Sequence, residues 1–582
     1  MVRKSILLLS DGFQAFVLSC FVSISVYSQD LSSIGKQKPF SLTGGVALNQ
    51  VLYASHGVAS RRSPYTYFAS GNVNISIYGW SVPFSFSVSN QNVSFQQPFN
   101  QYSLHPTYKW ITGHVGYTSA AYSPYTVGGH LFLGAAVEAA PEGKWKFGAL
   151  YGRFLKKVKP DTVNGKSTVP AYQRMGYGFK TSFNDGGNFA DLIIFHAKDN
   201  RDSIPLISDG LPILPEENLV ISLAAGKTFF DHLTLKGELA SSAITRDTYA
   251  EKADNTELLA KAKFLHTPRF STAYYKALKT SLNYQFDVYT LGVAYERIDP
   301  QYKTLGAYYF NNDLESITAN TSGALFQGKM NVALSAGTQR DNLDKNKIST
   351  MRRTVGSANI SYVPSQKINL SASYSSFQTY TNIRSQFVDI NQLTPYDNLD
   401  TLNFTQLSKS ASLNAMYMFG QNDNRKQNLN VNLNYQGASD KQGDVPQNAG
   451  SQFYNLNTAY AMNLVSQAMS ISVSFNTTLN KGADMTTTTL GPTAAISKSF
   501  FDKKLRTTLS SAYNNTYDNT AKINSIINGR ISAAMAIRKK HNINLSTMIV
   551  NRLNTSTNIA SETTSFIEFT GTIGYSYSFG SK

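Results

Sequence analysis

The sequence predicts an all-β protein: a single large transmembrane antiparallel up-and-down β-barrel. Three observations predict it. Apolar and polar residues alternate with period two over segments of about ten residues, the length at which a tilted strand crosses a bilayer. Beyond the N-terminal segment no apolar run reaches the ~18 residues that indicate a spanning helix. Charged residues make up 15% of the chain, well below the roughly 25% of soluble domains.

The last strand shows the alternation most clearly. Phe569–Phe579 reads F-T-G-T-I-G-Y-S-Y-S-F, with apolar, aromatic or Gly residues at odd positions and small, mostly polar residues at even ones. It resembles the C-terminal signal of bacterial outer-membrane barrels, polar-x-Gly-x-x-aromatic-x-aromatic, at Thr572, Gly574, Tyr577 and Phe579. The resemblance implies a closing strand and the barrel assembly machinery as a partner.

The other end of the chain predicts export. Two basic residues precede a mostly apolar stretch, and small or apolar residues around Ser28 suit cleavage after it. We predict a signal peptide over residues 1–28 and the outer-membrane β-barrel over residues 29–582. An N-terminal membrane helix and a lipid anchor at Cys20 are the alternatives. The stretch is short and rich in Ser, and the residues after Cys20 stay apolar, which argues against both.

Composition excludes several kinds of chemistry. Cys20 is the single cysteine, so the predicted mature chain has no disulfide, thiolate metal site or cysteine nucleophile. No complete G-x-x-x-x-G-K-S/T loop, H-E-x-x-H, C-x-x-C or G-x-S-x-G motif occurs. The net charge of +17 is scattered rather than gathered in a patch, so nucleic acid is not an expected partner. We therefore predict no enzyme activity, no cofactor and no metal.

Two weaker patterns have both a functional and a structural interpretation. His114 and His130 are expected on the lumen face of neighbouring strands, where polar lining is the favoured interpretation over a binding site. Asp341–Asp344 and Asp397–Asp400 repeat the sequence D-N-L-D in predicted external loops. Their oxygens are of the kind that binds Ca²⁺, but the loop pattern is incomplete, and a solvated turn is favoured.

From about Trp110 to the end, strand candidates and turns alternate regularly. Short turns are predicted at 363–367, 420–427, 464–467, 500–504 and 538–541, and longer polar loops at about 376–404, 436–452, 514–525 and 552–565. Outer-membrane barrels have tight periplasmic turns at one end and longer external loops at the other. If Phe579 ends at the periplasmic side, all five short turns fall on that side.

Counting back from the end predicts about 22 strands to Trp110, and the N-terminal part adds three or four. The latter are Phe40–Leu52, Tyr65–Tyr78, Val82–Ser89 and a short return at Asn92–Phe95. Since a closed single-chain barrel has an even number of strands, we predict 24–26. Residues 97–109 are interpreted as an ordinary loop rather than a constriction inside the lumen. Because alternation begins so early in the mature chain, no N-terminal plug domain is expected.

Two further patterns bear on the family and on the turns. Lys227–His232 and Lys498–Lys503 repeat K-T/S-F-F-D at predicted periplasmic hairpins. His105–Trp110 and Ser123–His130 resemble stretches of large, uncharacterised outer-membrane barrel proteins of Bacteroidota. That resemblance covers the N-terminal quarter and implies a fold and a location but no chemistry.

Strand phase assigns the charged residues to a face. A charge on the lipid side costs roughly 2–4 kcal/mol at the bilayer midplane, so the charges in phase with polar residues are predicted to face the lumen. As lumen-facing charges and selectivity candidates we predict Lys146, Lys180, Lys236, Arg530, Arg538, Glu138, Glu238 and Glu568, with Lys279 and Glu296 on the same side.

The sequence thus predicts an integral protein of the cell outer membrane, in contact with outer-membrane lipid and lipopolysaccharide. One function is a pore or transporter for hydrophilic solutes, with a basic lumen that favours anions. The alternative is a non-enzymatic barrel subunit of an export, assembly or adhesion complex, with its lumen occupied by a protein partner.

Overall fold

The computed structural model describes most of the chain. The described residues are 39–90, 100–159, 170–204, 213–254, 257–262, 264–308, 311–346, 352–376, 406–420, 422, 424–442, 445–446, 451–482, 485–538, 540–555 and 565–580. The predicted signal peptide lies outside them, and so does the predicted strand Asn92–Phe95.

The structure is built from β-strands. In chain order these are β1 (Phe40–His56), β2 (Tyr65–Ile77), β3 (Trp80–Ser89), β4 (Gln101–Leu104), β5 (Thr107–Tyr108), β6 (Ile111–Ala121), β7 (Gly128–Ala139), β8 (Trp145–Leu155), β9 (Gln173–Asp185), β10 (Asn188–Asn200), β11 (Glu217–Phe229), β12 (Leu233–Thr245), β13 (Thr272–Gln285), β14 (Tyr289–Ile298), β15 (Leu314–Leu325), β16 (Met330–Arg340), β17 (Arg352–Ser365), β18 (Ile368–Ser375), β19 (Gln406–Phe419), β20 (Arg425–Gln442), β21 (Val445–Pro446), β22 (Ser451–Leu464), β23 (Met469–Lys481), β24 (Thr486–Phe500), β25 (Leu505–Asp518), β26 (Ala521–Ile537), β27 (His541–Asn554) and β28 (Phe566–Phe579). Two short 3₁₀ turns, Arg201–Ser203 and Leu258–Lys261, interrupt loops. No helix of the described residues is long and apolar enough to span a membrane.

All the strands belong to one sheet that closes on itself. Each strand pairs antiparallel with its neighbour along the chain, and β1 pairs with β28 from Gly44↔Phe579 to His56↔Ile567. β4 and β5 share one position between β3 and β6, and the two-residue β21 pairs only with the end of β20. The wall therefore has 26 strands. The predicted fold class and the predicted range of strand number are confirmed.

The fourth wall strand corrects the interpretation of residues 97–109 as a loop. Gln101–Leu104 pairs with β3 and β6, and Thr107–Tyr108 continues the same position in the wall. Pro106 breaks the strand because proline has no amide hydrogen to donate. Its carbonyl still accepts a 2.8 Å hydrogen bond from the Gly113 amide, so the wall stays continuous across the break.

Short turns gather at one end of the barrel, which we call the short-turn end; the opposite end is the long-loop end. The five predicted short turns join β17 to β18, β19 to β20, β22 to β23, β24 to β25 and β26 to β27, and Phe579 ends at the same end. The predicted loop at 514–525 is wrong, because β25 and β26 run to Asp518 and from Ala521. That stretch is polar because its strands carry Asn and Thr on the inner face and the hydrogen-bonded pair Asn515 and Ser525 on the outer one.

The two copies of the K-T/S-F-F-D sequence both form turns at the short-turn end. Phe230, Asp231, Phe501 and Asp502 all have positive φ of 52–60°. In each copy the lysine lies over the first phenylalanine ring: Lys227 Nζ is 5.1 Å from the centre of the Phe229 ring, and Lys498 Nζ is 5.5 Å from that of Phe500. The recurrence therefore marks equivalent positions in the wall, as predicted.

The two faces of the wall differ in chemistry. Bulky apolar side chains such as Leu223, Leu509 and Ile531 stay 56–62% exposed on one face. Such exposure along the whole wall is typical of a lipid-facing surface. The opposite face carries most of the polar residues, together with the predicted lumen charges within the strands, and we assign it to the lumen.

Closure of the barrel can be tested by cross-linking across the β1–β28 seam. Ala47 lies directly opposite Ser576, and opposite residues of antiparallel strands lie within disulfide reach. In a chain with Cys20→Ser, the double variant Ala47→Cys/Ser576→Cys is expected to form a disulfide in most molecules under mild oxidation, seen as faster migration on a denaturing non-reducing gel.

Ala47→Cys/Thr570→Cys is the matched control, because Thr570 lies opposite Tyr53, six residues further along β1. Equal cross-linking of the two pairs would contradict the seam.

Candidate functional site

Two loops at the long-loop end turn into the barrel and pair with each other. We call residues 122–127, after β6, and residues 299–308, after β14, the inner shelf. Val127 and Gly306 form an isolated parallel bridge, and the Gly128 amide donates to the Gly306 carbonyl at 3.0 Å. Val127 and Tyr302 are fully buried. The inner shelf is therefore a packed structure inside the lumen and not a solvated rim.

Asn218 on the inner face of β11 is the main polar anchor of the inner shelf. Its side-chain oxygen accepts from the Leu305 amide at 3.0 Å. Its amide nitrogen donates to Ser242 Oγ at 2.8 Å and to the Ala243 carbonyl at 3.0 Å. Ser242 in turn donates to the Lys303 carbonyl at 2.7 Å. Asn218 is fully buried, so every one of these bonds is shielded from water.

Apolar and aromatic packing fills the space between the inner shelf and the wall. Inward-facing side chains of β7, β8 and β10 to β12 form a cluster with the shelf residues Val127 and Leu305; its members on the wall include Phe132, Leu150, Phe154, Phe195, Val220 and Ile244. The His130 ring stacks on Tyr308 with centroids 4.0 Å apart. A hydrophobic core thus exists inside the lumen along this part of the wall.

The inner shelf also covers carboxylates of the wall. Glu238 on β12 accepts from Ser222 at 2.7 Å and from Ser123 of the shelf. Glu296 on β14 accepts from Tyr125, and its other oxygen lies 3.9 Å from Lys279 Nζ. Burial, followed by the nearby carboxylate of Glu296, raises the pKa of Tyr125, which therefore remains a protonated donor.

A buried ion cluster attaches the inner shelf at the rim. Arg174 on β9 contacts Asp199 at 2.7 Å and Glu216 at 3.0 Å, with the Arg174 and Asp199 side chains only 12% and 5% exposed. Lys303 of the shelf reaches Glu216 at 2.6 Å. Each carboxylate has a cationic partner, which is the condition under which buried charge is tolerated.

The wall from β18 to β24 has different chemistry. In phase opposite to the exposed Leu413, Leu433 and Val473, its inner face carries mainly Asn, Ser and Thr. Asn414 donates to Asn430 and Asn432, and Asn455 donates to Asn476 at 2.9 Å. This neutral wall contrasts with the charged, shelf-covered wall from β7 to β14. The predicted lumen of mixed charge therefore describes one part of the circumference.

Most of the predicted charged residues lie on the inner phase, but few lie together. Lys146, Lys236 and Glu138 are exposed there, and none of them forms an ion pair with a described residue. Lys180 pairs with Asp191 at 3.1 Å. Arg530 donates to Ser546 at 3.1 Å.

Glu568 lies at the β1–β28 seam, on the inner phase. It accepts from the Tyr53 hydroxyl at 2.7 Å, and Arg61 Nε lies 3.7 Å away. Its place on the closing strand makes it part of the contact that joins the two ends of the wall.

One placement differs from expectation. Arg538 has φ of 50° in the predicted short turn after β26, so it lies at the short-turn end and not on the lumen face of the wall. His114 and His130 lie on the inner phase of the neighbouring strands β6 and β7, as expected, but they do not meet. Nδ1 of His114 lies 2.7 Å from Nδ1 of His105, in the segment that proved to be a strand.

The remaining candidate sites are partly outside the described residues. Asp344 accepts from the amide and side chain of Asn346, at 3.2 and 2.8 Å, and Asp313 Oδ1 accepts from the Leu343 amide at 2.9 Å. These bonds agree with a turn. Asp397–Asp400 is not described, and no group of three or more potential metal ligands occurs among the described residues.

The sequence pattern did not predict the inner shelf. The one indication was that large residues of the kind usually buried, Tyr302 and Leu305, occur in a stretch without strand alternation. Such a stretch is equally typical of an exposed loop. The decisive contacts, from Asn218 and Phe195, come from strands about 85–110 residues away in the chain.

A second loop packs on the outer face at the long-loop end. Residues 246–271, apart from 255, 256 and 263, form what we call the outer strap. Leu259 packs on Leu219 and Ala243, which share their phase with lipid-facing residues. His266 is buried, and its Nε2 lies 3.0 Å from the Thr245 hydroxyl. Burial lowers the pKa of His266 to about 4, with Glu217 opposing and His196, Lys198 and Arg269 adding to the fall.

Comparison with known proteins adds likenesses of shape only. No family model and no curated protein matches the chain. The solved P pilus usher PapC translocation pore has a TM-score of 0.41 and 9% identity, covering 92% of this chain and 99% of its own. The outer membrane transporter YddB from Escherichia coli has a TM-score of 0.39 and 7% identity, covering 92% and 81%. The copper transporter OprC scores 0.38 at 8% identity, covering 93% and 81%. Scores this low carry no argument about function.

Removing the Asn218 anchor is expected to loosen the inner shelf. Asn218→Ala deletes three buried hydrogen bonds and leaves the Leu305 amide without its acceptor, at a cost of about 2–4 kcal/mol. We expect faster hydrogen exchange at the Leu305 and Gly306 amides, measured by mass spectrometry in detergent.

Asn544→Ala is the matched control, because Asn544 is exposed on the inner phase of β27 and far from the shelf. An unchanged exchange rate in the Asn218 variant would contradict the anchoring role.

The outer strap is expected to loosen in acid. The pKa of His266 in the folded strap, about 4, lies below the ordinary 6.5 of a released histidine. Stability from its neutral burial is present above pH 6.5 and is lost as pH falls toward 4, by up to about 3 kcal/mol. Hydrogen exchange of residues 264–271 should therefore be faster at pH 5 than at pH 7, after correction for intrinsic rates.

His266→Gln should remove most of this pH difference, whereas His232→Gln, at the short-turn end, should leave it intact. Equal pH dependence in all three proteins would count against the role of His266.

Proposed function

We propose that the protein is an integral outer-membrane barrel through which hydrophilic solutes pass. The observation that carries the proposal is a closed 26-strand wall with an apolar outer face and a polar inner one. A circular wall of this size, with strands ~4.8 Å apart and tilted by ~40°, is about 50 Å across. Side chains of the wall cannot fill such a width, so water or polypeptide must occupy what the inner shelf leaves open.

The arrangement of charge supports a preference for anions. Lys146 and Lys236 lie on the inner phase near the short-turn end, and Arg530 lies on the inner phase of β26. None of the three forms an ion pair with a described residue. The acidic residues Glu238 and Glu296 are covered by the inner shelf. Among the predicted acidic residues of the lumen, Glu138 is the one that stays exposed. Three exposed cations against one such acid raise the local concentration of anions.

The remaining predictions stay part of the proposal. Location in the outer membrane, export by residues 1–28, recognition of Thr572, Gly574, Tyr577 and Phe579 by the assembly machinery, the likeness to Bacteroidota barrels and the lack of enzyme activity all agree with a passage function. The alternative is a barrel subunit of an export, assembly or adhesion complex, in which a partner segment fills the space beside the neutral wall.

Conductance in planar bilayers tests the proposal. The purified protein is expected to give stable ohmic steps with anions preferred over cations. Lys146→Gln/Lys236→Gln/Arg530→Gln should lower the anion-to-cation permeability ratio by roughly two- to threefold, because three lumen charges are lost, with little change in step size.

Lys409→Gln/Lys481→Gln/Lys498→Gln, which removes the same charge from the outer phase, should leave the ratio unchanged. Silence of the folded protein, together with a partner that copurifies from native membranes, would favour the complex subunit instead.

A further inference from the structure

The outer wall has a cavity at the long-loop end that no part of the passage function uses. It has a volume of about 260 Å³ and lies where β3, β4, β6 and β8 reach the rim. Phe86, Val88, Tyr102 and Tyr117 form its apolar lining, and Arg153 and Lys156 form its charged edge, with three small or amide side chains between them. The cavity therefore lies between an apolar surface and two cationic side chains.

The apolar lining belongs to the lipid-facing surface. Val88 and Tyr102 are 41% and 54% exposed, in phase with the other bulky residues of the outer face. The Tyr102 and Tyr117 rings meet edge to face with centroids 5.8 Å apart. Aromatic side chains at this height are typical of the interface between hydrocarbon and headgroups. The apolar lining of the cavity thus suits the part of an acyl chain next to the headgroup, and the glycerol or sugar attached to it.

Among the described residues, the charged edge of the cavity has no counter-charge. Arg153 lies on the outer phase of β8, shared with the 60% exposed Tyr151, and Lys156 follows directly after the strand. None of the nine lining residues is acidic, and neither cation forms an ion pair with a described residue. Two cations on the outer wall with no described carboxylate beside them would be costly near the bilayer midplane, but at headgroup level they attract phosphate.

From this geometry we propose that the cavity binds one phosphorylated glycolipid of the outer leaflet. Its phosphate contacts Arg153 and Lys156, and its acyl chain lies on Val88, Tyr102 and Tyr117. The long-loop end faces the cell exterior in barrels with tight periplasmic turns, which places the cavity in that leaflet. The planar guanidinium of Arg153 suits two phosphate oxygens at once, while Lys156 supplies a mobile point charge.

The test is native mass spectrometry of the full-length protein in a non-ionic detergent, titrated with diphosphoryl lipid A. We expect one tightly bound lipid per barrel. Arg153→Gln/Lys156→Gln should weaken its binding about tenfold or more, because two charge-assisted contacts are lost. Lys227→Gln/Lys498→Gln is the matched control, since it removes two exposed cations from the short-turn end, and its affinity should equal that of the unchanged protein.

Three further arms complete the experiment. Lipid A without its phosphates should bind the unchanged protein as weakly as the diphosphoryl lipid binds the Arg153/Lys156 variant. Tyr102→Ser should weaken lipid A binding and leave the response to inorganic phosphate unchanged. Millimolar inorganic phosphate should not displace the lipid. Heat-dependent migration on gels must show that each variant is a folded barrel.

Two results would overturn the proposal. Equal lipid A affinity in the Arg153/Lys156 variant and the unchanged protein would show that the cations do not hold the lipid. Tight binding of inorganic phosphate that excludes lipid A would identify a site for free phosphate instead. Neither result bears on conductance, so failure here leaves the passage function to stand or fall by its own test.

Discussion

The pairing of β1 with β28 is the constraint on which the rest of the structure depends. An open sheet in a bilayer would leave two edges of unpaired amides and carbonyls in hydrocarbon, where each unsatisfied group costs several kcal/mol. The thirteen opposed pairs from Gly44↔Phe579 to His56↔Ile567 remove both edges. Once the sheet is closed, every strand has a lumen side and a lipid side, and successive side chains point to one and then to the other.

Closure at 26 strands creates a wide interior, and the inner face of the wall must be either covered by polypeptide or solvated. The inner shelf solves part of it by covering the wall from β7 to β14 with a core of its own. Asn218 and the Arg174–Asp199–Glu216–Lys303 cluster satisfy the polar groups that the shelf buries. The neutral Asn, Ser and Thr surface from β18 to β24 has no described loop folded against it. Among the described residues, the lumen is therefore asymmetric, with one side covered by the packed inner shelf and the other lined by neutral polar side chains.

The outer face is organised by height as well as by phase. Aliphatic and aromatic residues cover the outer face, and several of its cations lie near the ends of the strands. At the short-turn end Lys227 and Lys498 lie over phenylalanine rings. At the long-loop end Arg153 and Lys156 border an aromatic cavity, and the outer strap packs on strands β10 to β13. A charge at the boundary of an apolar surface describes the positions of Lys227, Lys498, Arg153 and Lys156 alike.

The strands were predictable from the sequence, because a strand with one lipid-facing and one lumen-facing side has alternating apolar and polar residues. The alternation of Phe569–Phe579 predicted its two faces and its role as the closing strand. The short turns and the inward phase of Lys146, Lys236 and Glu238 were predicted in the same way. Pattern failed where it was ambiguous. Residues 514–525 carry polar residues on both faces, which is equally typical of a loop, and residues 101–108 are a strand that Pro106 interrupts.

Contacts between distant strands could not be predicted at all. Nothing in the period of a single segment says that Leu305 will meet Asn218, that His114 will meet His105 rather than His130, or that Glu238 and Glu296 will lie under a shelf. The sequence by itself determined the strands, their faces and the closed barrel, because these follow from local alternation and from the cost of exposed backbone in lipid. Only the tertiary structure decided how the interior is divided, because the energy of the inner shelf resides in contacts that exist only after the wall has closed around it.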